Sequence, residues 1–144
     1  MATLTVEIVT PDAALWVGPA TALMARSSEG EFTILPQHTS TVGDVVPGVV
    51  RVETAEGEVA FAVHGGYFQV GPGDAEGETR ATVLAGVAER TSEIDVVRAQ
   101  VAKEAAETAI AEAVRGGEAN DHAPHLFAHA ALERAQLRLR AALK

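Results

Sequence analysis

The sequence contains no cysteine, which excludes a disulfide framework and thiolate metal sites. Its only lysines are Lys103 and Lys144, and neither follows a glycine-rich loop, so a Walker-type phosphate loop is excluded as well. No apolar run approaches the ~18 residues of a membrane helix, and the first residues lack the charged and apolar regions of a signal peptide. These absences predict a protein that works inside the cell.

Positive charge is also scarce. Acidic side chains outnumber basic ones, and the net charge is −9. This argues against a nucleic-acid partner. The acidic excess lies almost entirely in residues 1–86, which carry 11 acidic side chains against three arginines. The last thirteen residues hold Arg134, Arg138, Arg140 and Lys144 against Glu133 alone, so the C-terminal segment is locally basic.

Glycine and proline divide the chain into two compositional halves. Residues 1–86 contain 11 of the 13 glycines and 5 of the 6 prolines, which is typical of many short strands joined by turns. Residues 87–144 contain 16 alanines, which favours helix. We therefore predict an α+β protein with two domains. An antiparallel β-sandwich or flattened barrel spans 1–86, and an antiparallel two-helix hairpin spans 87–144.

Alternating apolar residues predict about eight strands in the first half, beginning with Leu4, Val6 and Ile8 on one face. Segments 49–53 and 58–64 are expected to form a hairpin, and segments 67–70 and 80–85 to pair across a glycine-rich loop. A sandwich of this size buries little apolar surface. We therefore expect it to work within a complex.

The first helix is predicted from an N-cap at Ser92 to about residue 114, and the second from near Pro124 to the end. Helical spacing predicts two apolar stripes that pack together: Ile94, Val97, Val101, Ile110 and Val114 on the first helix, with Ala105, Ala106 and Ala109 beside them, and Leu132, Leu139 and Leu143 on the second. A seam rich in alanine removes little area from water, so the hairpin is expected to open readily.

No residue pattern indicates catalysis. His64-Gly65-Gly66 is interpreted as a turn between strands, because the nucleophile elbow that accompanies such a motif in esterases is absent. The histidines His122, His125 and His129 have spacing compatible with a metal site, but a solvated loop and helix start is the better interpretation. We predict no catalytic residue and no metal site.

One group of charged residues permits nucleotide binding. Asp95 and Arg98 are three residues apart, and Arg134 and Arg138 are four apart, so each pair is expected to share a helical face. With Glu89, they could form a phosphate clamp with a base or sugar acceptor. Ordinary surface ion pairing explains the same spacing and is favoured by spacing alone.

Three segments carry a family resemblance: Glu29–His38 (EGEFTILPQH), Phe61–Val70 (FAVHGGYFQV) and Ile94–Ala99 (IDVVRA). They resemble the epsilon subunit of bacterial F-type ATP synthase in pattern, order and spacing over nearly the whole chain. The resemblance implies a non-catalytic rotor subunit that needs no cofactor. In such a subunit the sandwich binds the gamma subunit and the ring of c subunits, with Glu29 and Glu31 at the c-ring and His38 near gamma.

The resemblance also implies a mobile regulatory hairpin that extends into the alpha/beta catalytic head and blocks ATP hydrolysis. Arg134, Arg138 and Arg140 would then face acidic beta-subunit segments. In some family members ATP binds the compact hairpin as a regulatory ligand. The positions that match this motif here are Glu89, Ile94, Asp95, Arg98, Ala99, Arg134 and Arg138.

The resemblance implies a peripheral protein at the cytoplasmic face of the cell membrane, which contacts the membrane only through the complex. Two alternatives stay open from the residues themselves. One is a free-standing module that senses ATP outside any complex. The other is a β-sandwich hydrolase, which lacks a readable active site.

Overall fold

The computed structural model describes residues 2–115 and 123–142, with side chains for 2–112 and 128–142. Contacts divide the chain into two compact units, Met1–Ser92 and Glu93–Lys144. The strands are β1 (Thr3–Val9), β2 (Ala14–Ala20), β3 (Ala22–Ser27), β4 (Gly30–Ile34), β5 (Thr41–Val45), β6 (Gly48–Thr54), β7 (Gly57–Val63), β8 (Gly66–Pro72), β9 (Glu78–Ala85) and β10 (Ala88–Arg90). A 3-10 turn (Thr91–Glu93) precedes α1 (Val96–Arg115), and α2 spans Ala123–Ala142.

The first unit is a sandwich of two five-stranded sheets. The first sheet has the order β2-β1-β9-β8-β5, and the second has the order β10-β7-β6-β3-β4. The predicted β-sandwich is confirmed, and the sheets do not close into a barrel. One pair departs from the predicted antiparallel arrangement, because β1 runs parallel to β9.

The core lies between the two sheets and follows the alternation of the strands. Leu4, Val6 and Ile8 of β1 are all buried on one face, as predicted, and Phe61 is the largest fully buried side chain. Their neighbours in the same cluster come from both sheets. At ~25 cal/mol for each Å² of apolar surface, this shared layer is the main stabilising contribution to the sandwich.

Both predicted strand pairings are present. β6 pairs antiparallel with β7, and β8 pairs antiparallel with β9. The sequence analysis missed β5 and β10. β5 contains Gly43 and Asp44, which are poor strand residues, and Gly43 is needed because a Cβ there would lie 2.5 Å from the Phe68 ring. β10 is only three residues long and pairs with β7, so the sandwich unit extends to Ser92, six residues past the predicted boundary at 86.

The second unit contains two helices of 20 residues that pack against each other as the predicted hairpin. The less exposed side chains of α1 are Ala99, Lys103, Ala106 and Ile110. The predicted stripe through Val97 and Val101 is wrong, since these side chains are 74% and 59% exposed. Ile94, the first residue of that stripe, is buried but precedes α1, and the predicted positions Ala105 and Ala109 are exposed.

In the part of α2 whose side chains are described, the buried side chains are Ala135, Leu137 and Ala141 rather than the predicted leucines. Leu132 and Leu139 are half-buried. The prediction for Leu143 lies outside the described residues, and the side chain of Val114 is likewise not described. Within the described residues, neither helix combines the length and apolar content needed to cross a bilayer.

Candidate functional site

The solvent side of the first sheet, which we call the outer face, has a polar centre. Arg80 of β9 donates to Glu7 of β1 across 3.0 Å, and the Thr82 hydroxyl donates to the second Glu7 oxygen at 3.2 Å. A similar pair lies one step along the sheet, where the Thr5 hydroxyl donates to Glu78 at 2.8 Å. These bonds join β1 to β9 across the outer face, while the buried Nε of Arg80 has no hydrogen-bond partner among the described residues.

Large apolar side chains flank this polar centre on the same outer face. Val42 of β5 is 74% exposed, Tyr67 of β8 63%, Val17 of β2 53% and Leu84 of β9 47%. The strand register places them on one face. Tyr67 of β8 lies opposite Leu84 of β9. Val42 of β5 lies opposite Gln69, which follows Tyr67 by two residues on β8 and therefore lies on the same side of the sheet. Several large apolar side chains exposed on one face of a sheet are typical of a protein interface. The sequence analysis predicted β2, β8 and β9 here but missed β5, which carries Val42, and it did not predict this face.

An open apolar groove continues the outer face at the ends of β1 and β9. It has a volume of about 330 Å³ and is lined by Val9, Thr10, Pro11, Leu84, Ala85 and Gly86. Leu84 belongs to both the groove and the outer face. The groove therefore continues the apolar surface to the end of the sheet at which β1 and β9 finish.

The predicted contact residues Glu29 and Glu31 lie at the turn between β3 and β4, and both are exposed. Ser27 shapes this turn. Its hydroxyl donates to the Gly30 carbonyl at 3.2 Å and accepts from the Glu29 amide at 3.1 Å. Gly30 has φ 127°, a conformation that favours glycine. The two carboxylates are thus presented to solvent at the end of the sandwich.

His38 lies in the segment between β4 and β5. Its amide donates to the Leu35 carbonyl at 3.1 Å, which closes a turn with Pro36 and Gln37 at the centre. Gln37 has φ 70°, as the second central residue of a type II turn requires, and its amide donates to the buried Thr79 hydroxyl at 2.8 Å. The exposed His38 ring is therefore held on a well-fixed segment.

The predicted nucleotide motif forms the start of α1. The Arg98 amide donates to Oδ1 of Asp95 at 3.0 Å, so Asp95 is the N-cap, and the predicted cap at Ser92 is wrong. Ile94 and Ala99 hold the N′ and N4 positions, where a hydrophobic staple forms, and both are buried. Capping thus explains Ile94, Asp95 and Ala99 without a ligand. Asp95 precedes the helix, so it does not share a helical face with Arg98 in the predicted way.

The remaining predicted nucleotide residues are distributed over both units. Glu89 lies on β10 opposite Ala62 of β7. Arg98 is exposed in the first turn of α1. On α2, Arg134 is exposed and Arg138, one turn later, is half-buried. Arg140, the predicted contact for the catalytic head, is exposed in the last turn of α2.

Within the described residues, no group of three potential metal ligands is present. His129 is exposed on α2. His122 lies outside the described residues, and so does the side chain of His125.

Comparison with known proteins gives the same architecture. A family model described as the beta-sandwich domain of the ATP synthase Delta/Epsilon chain matches residues 3–91. The ATP synthase epsilon chain of Thermobifida fusca is 44% identical over 107 residues, which covers 72% of this chain and 74% of the relative. That of Pediococcus pentosaceus is 37% identical over 141 residues, covering 97% and 90%.

A solved structure of the Euglena gracilis mitochondrial ATP synthase, containing OSCP, F1 and the c-ring, includes a chain with a TM-score of 0.74 and 25% identity. The match covers all of this chain and 83% of that one. Fold and comparisons together place the chain in the class of ATP synthase subunits in which a β-sandwich is followed by a helical hairpin. The chain belongs to the delta/epsilon family of ATP synthase, among the bacterial epsilon chains. As an epsilon chain, it is a non-catalytic stalk subunit of ATP synthase.

Proposed function

We propose that the sandwich links the gamma subunit to the c-ring in the rotor of an ATP synthase, with the outer face of the first sheet docked on gamma. The observation that carries this proposal is the exposed apolar set of Val17, Val42, Tyr67 and Leu84. Aromatic and aliphatic side chains of this kind supply most of the affinity at interfaces. His38 contributes to the same contact from the adjoining segment.

A matched pair of substitutions tests the docking face. Val42 on the outer face and Val97 on α1 are both 74% exposed, so Val42→Ser and Val97→Ser remove equal side chains from equally exposed places. We expect Tyr67→Ala and Val42→Ser to weaken binding of the full chain to a gamma–c-ring subcomplex by about tenfold or more. Val97→Ser is the control. Equal affinity for all variants and the wild type would contradict the docking face.

The c-ring contact is assigned to the β3–β4 turn that carries Glu29 and Glu31. The β6–β7 turn offers an internal control, since it presents Glu56 and Glu58 in the same sequence pattern. We expect the double variant Glu29→Gln/Glu31→Gln to weaken c-ring binding several-fold, with a reduced dependence on salt, because exposed charges act over about one Debye length. Glu56→Gln/Glu58→Gln should leave binding unchanged. Equal losses in the two double variants would reject the assignment.

We further propose that the helical hairpin regulates the enzyme by extending into the alpha/beta catalytic head. The support is the basic end of α2, where Arg134 and Arg140 are exposed, and the small side chains buried by both helices. Charge reversal with Arg134→Glu/Arg140→Glu should raise ATP hydrolysis by the reconstituted synthase. Lys103→Glu, a single charge reversal on α1, serves as the control. Unchanged hydrolysis in the double variant would argue against this role.

ATP is proposed as a regulatory ligand of the compact hairpin, bound through Arg98, Arg134 and Arg138. Binding to the compact state alone would shift the population away from the inhibitory state. Calorimetric titration of the full chain should give saturable binding that is lost in Arg98→Ala and Arg134→Ala and kept in Arg140→Ala. Absence of binding up to millimolar ATP would leave the hairpin as an inhibitor without a nucleotide signal.

The free-standing ATP sensor remains the second candidate function. This candidate predicts ATP binding without stable association with gamma or the c-ring. The calorimetric titration with ATP and the affinity for the gamma–c-ring subcomplex therefore distinguish it from the rotor subunit. As a rotor subunit, the chain lies at the cytoplasmic face of the cell membrane as a peripheral part of the synthase. Other subunits then provide its only membrane contact.

A further inference from the structure

Two hairpin turns of the sandwich share one design. In the β3–β4 turn, Ser27 accepts from the amide two residues later and donates to the glycine carbonyl three residues later. In the β6–β7 turn, Thr54 makes the same two bonds, at 3.2 and 2.7 Å. The glycines have φ values of 127° and 128°. Because the local geometry is the same, any difference in how firmly the two turns are held must come from other contacts.

One such contact distinguishes the β3–β4 turn. The Ser28 amide donates to Oδ2 of Asp44 at 3.0 Å, and the Ser28 hydroxyl donates to Oδ1 at 3.0 Å. The matching position in the β6–β7 turn is Ala55, which has no hydroxyl. Two donors on one carboxylate fix both the position and the orientation of the turn, and bonds to an ionised acceptor are stronger than neutral ones.

Asp44 lies where the two proposed interfaces meet. It belongs to β5 of the first sheet and is paired with Tyr67 of the outer face. Ser28, its partner, belongs to the turn of the second sheet. Beside it, the Val46 amide donates to the Arg26 carbonyl at 3.0 Å and joins the same two segments. The Ser28–Asp44 pair therefore connects the outer face directly to the turn that carries Glu29 and Glu31.

We propose that Asp44 is a positioning residue for the c-ring contact: it holds the β3–β4 turn in a fixed orientation relative to the outer face. This inference rests on the proposed assignment of the turn to the c-ring. Fixing the turn in the free protein reduces the entropy lost on binding, which strengthens binding without a new contact. In a rotor, the same pair keeps the two docking surfaces in a constant relative orientation.

Two measurements on the full chain test the proposal. In amide hydrogen exchange, Asp44→Ala should speed exchange of the Ser28 and Glu29 amides by about tenfold and leave the Glu56 amide unchanged. Asp44→Asn keeps one acceptor oxygen and should retain most of the protection. Unchanged exchange at Ser28 and Glu29 overturns the proposal, whatever the turn binds.

Affinity for the gamma–c-ring subcomplex is the second measurement. Asp44→Ala should weaken binding by about three- to tenfold, and should have a smaller effect in a Ser28→Ala background, because that variant has already lost the hydroxyl bond to Asp44 and keeps only the amide bond. If Asp44→Ala acts only by destabilising the fold, its loss of affinity adds in full to the loss caused by Ser28→Ala. That result overturns the proposal. Failure of the c-ring assignment looks different: Glu29→Gln/Glu31→Gln then leaves affinity unchanged while Asp44→Ala still speeds exchange.

Discussion

The sandwich and the helical pair bury different kinds of side chain. The sandwich core consists of Phe, Leu, Ile and Val side chains from two sheets. The helices bury mainly alanine, at Ala99, Ala106, Ala135 and Ala141, with Leu137 as the only fully buried leucine in their described part. Since hydrophobic stabilisation scales with apolar area, most of the stability must lie in the sandwich. The difference is consistent with the proposed roles, in which the sandwich docks and the helical hairpin changes state.

The largest expected effect is the loss of a core aromatic from the sandwich. Phe61 is fully buried, so Phe61→Ala should lower the free energy of unfolding by about 3–5 kcal/mol, which includes the cost of the cavity. Urea unfolding followed by the fluorescence of Trp16, which packs against this core, measures it. Val42→Ala, on the outer face, should change it by less than about 0.5 kcal/mol. Comparable losses would contradict the assigned core.

The helical pair should respond separately and more weakly. Leu137→Ala should cost about 2–3 kcal/mol in the stability of the helices, at the low end for such changes, because small neighbours can close the gap. Hydrogen exchange of α1 and α2 amides should accelerate in this variant while the Trp16 transition keeps its midpoint. In the wild type, α1 amides should already exchange faster than those of β7. Equal protection of helices and strands would break the comparison.

A smaller effect is expected at the start of α1. Asp95→Ala removes the acceptor of the Arg98 amide and should cost about 1 kcal/mol, visible as lost helicity in circular dichroism. Asp95→Asn, which retains a capping oxygen, should restore most of it. Ser92→Ala is the decisive comparison, because Ser92 is the cap that the sequence predicts. A larger loss in Ser92→Ala than in Asp95→Ala would contradict the observed helix start.

The smallest effect concerns acid stability of the sandwich. The Ala75 amide and the Thr5 hydroxyl both donate to the Glu78 carboxylate, which lowers its pKa in the folded state. A lowered folded pKa contributes stability above the ordinary glutamate value of about 4.3, and this contribution disappears as the pH falls through the folded pKa. Thr5→Val should therefore lower the urea midpoint at pH 7. The difference from wild type should shrink in acid, and a difference that grows there would reject this account.

The sandwich could be predicted from sequence because turn residues divide the first half into short strand-like segments, and β1 and β9 alternate between buried and less buried side chains. The β6–β7 and β8–β9 pairings follow from the turns that join these neighbouring segments. β5 could not be found in this way, because Gly43 is required by the distant Phe68 ring rather than by its neighbours. The parallel pairing of β1 with β9 also depends on contacts between distant segments.

The helices and the site were harder to predict for a related reason. In α1 nearly every apolar residue is alanine or valine, so periodicity alone does not identify the buried side, and the larger valines Val97 and Val101 were wrongly assigned to it. The capping role of Asp95 competes with that of Ser92, and both residue types cap equally well. The outer face has the readable strand Tyr67–Val70, but exposure of Tyr67 becomes clear only with the whole sheet in place.

The parallel pairing of β1 with β9 has a consequence for biosynthesis. β1 ends at Val9, while its partner begins at Glu78, so the first strand leaves the ribosome long before the strand that completes its pairing exists. At ~5–20 residues per second, the edge of β1 that pairs with β9 stays without that partner for on the order of ten seconds. The first sheet, with the outer face that it carries, is therefore incomplete until nearly the whole sandwich has been translated.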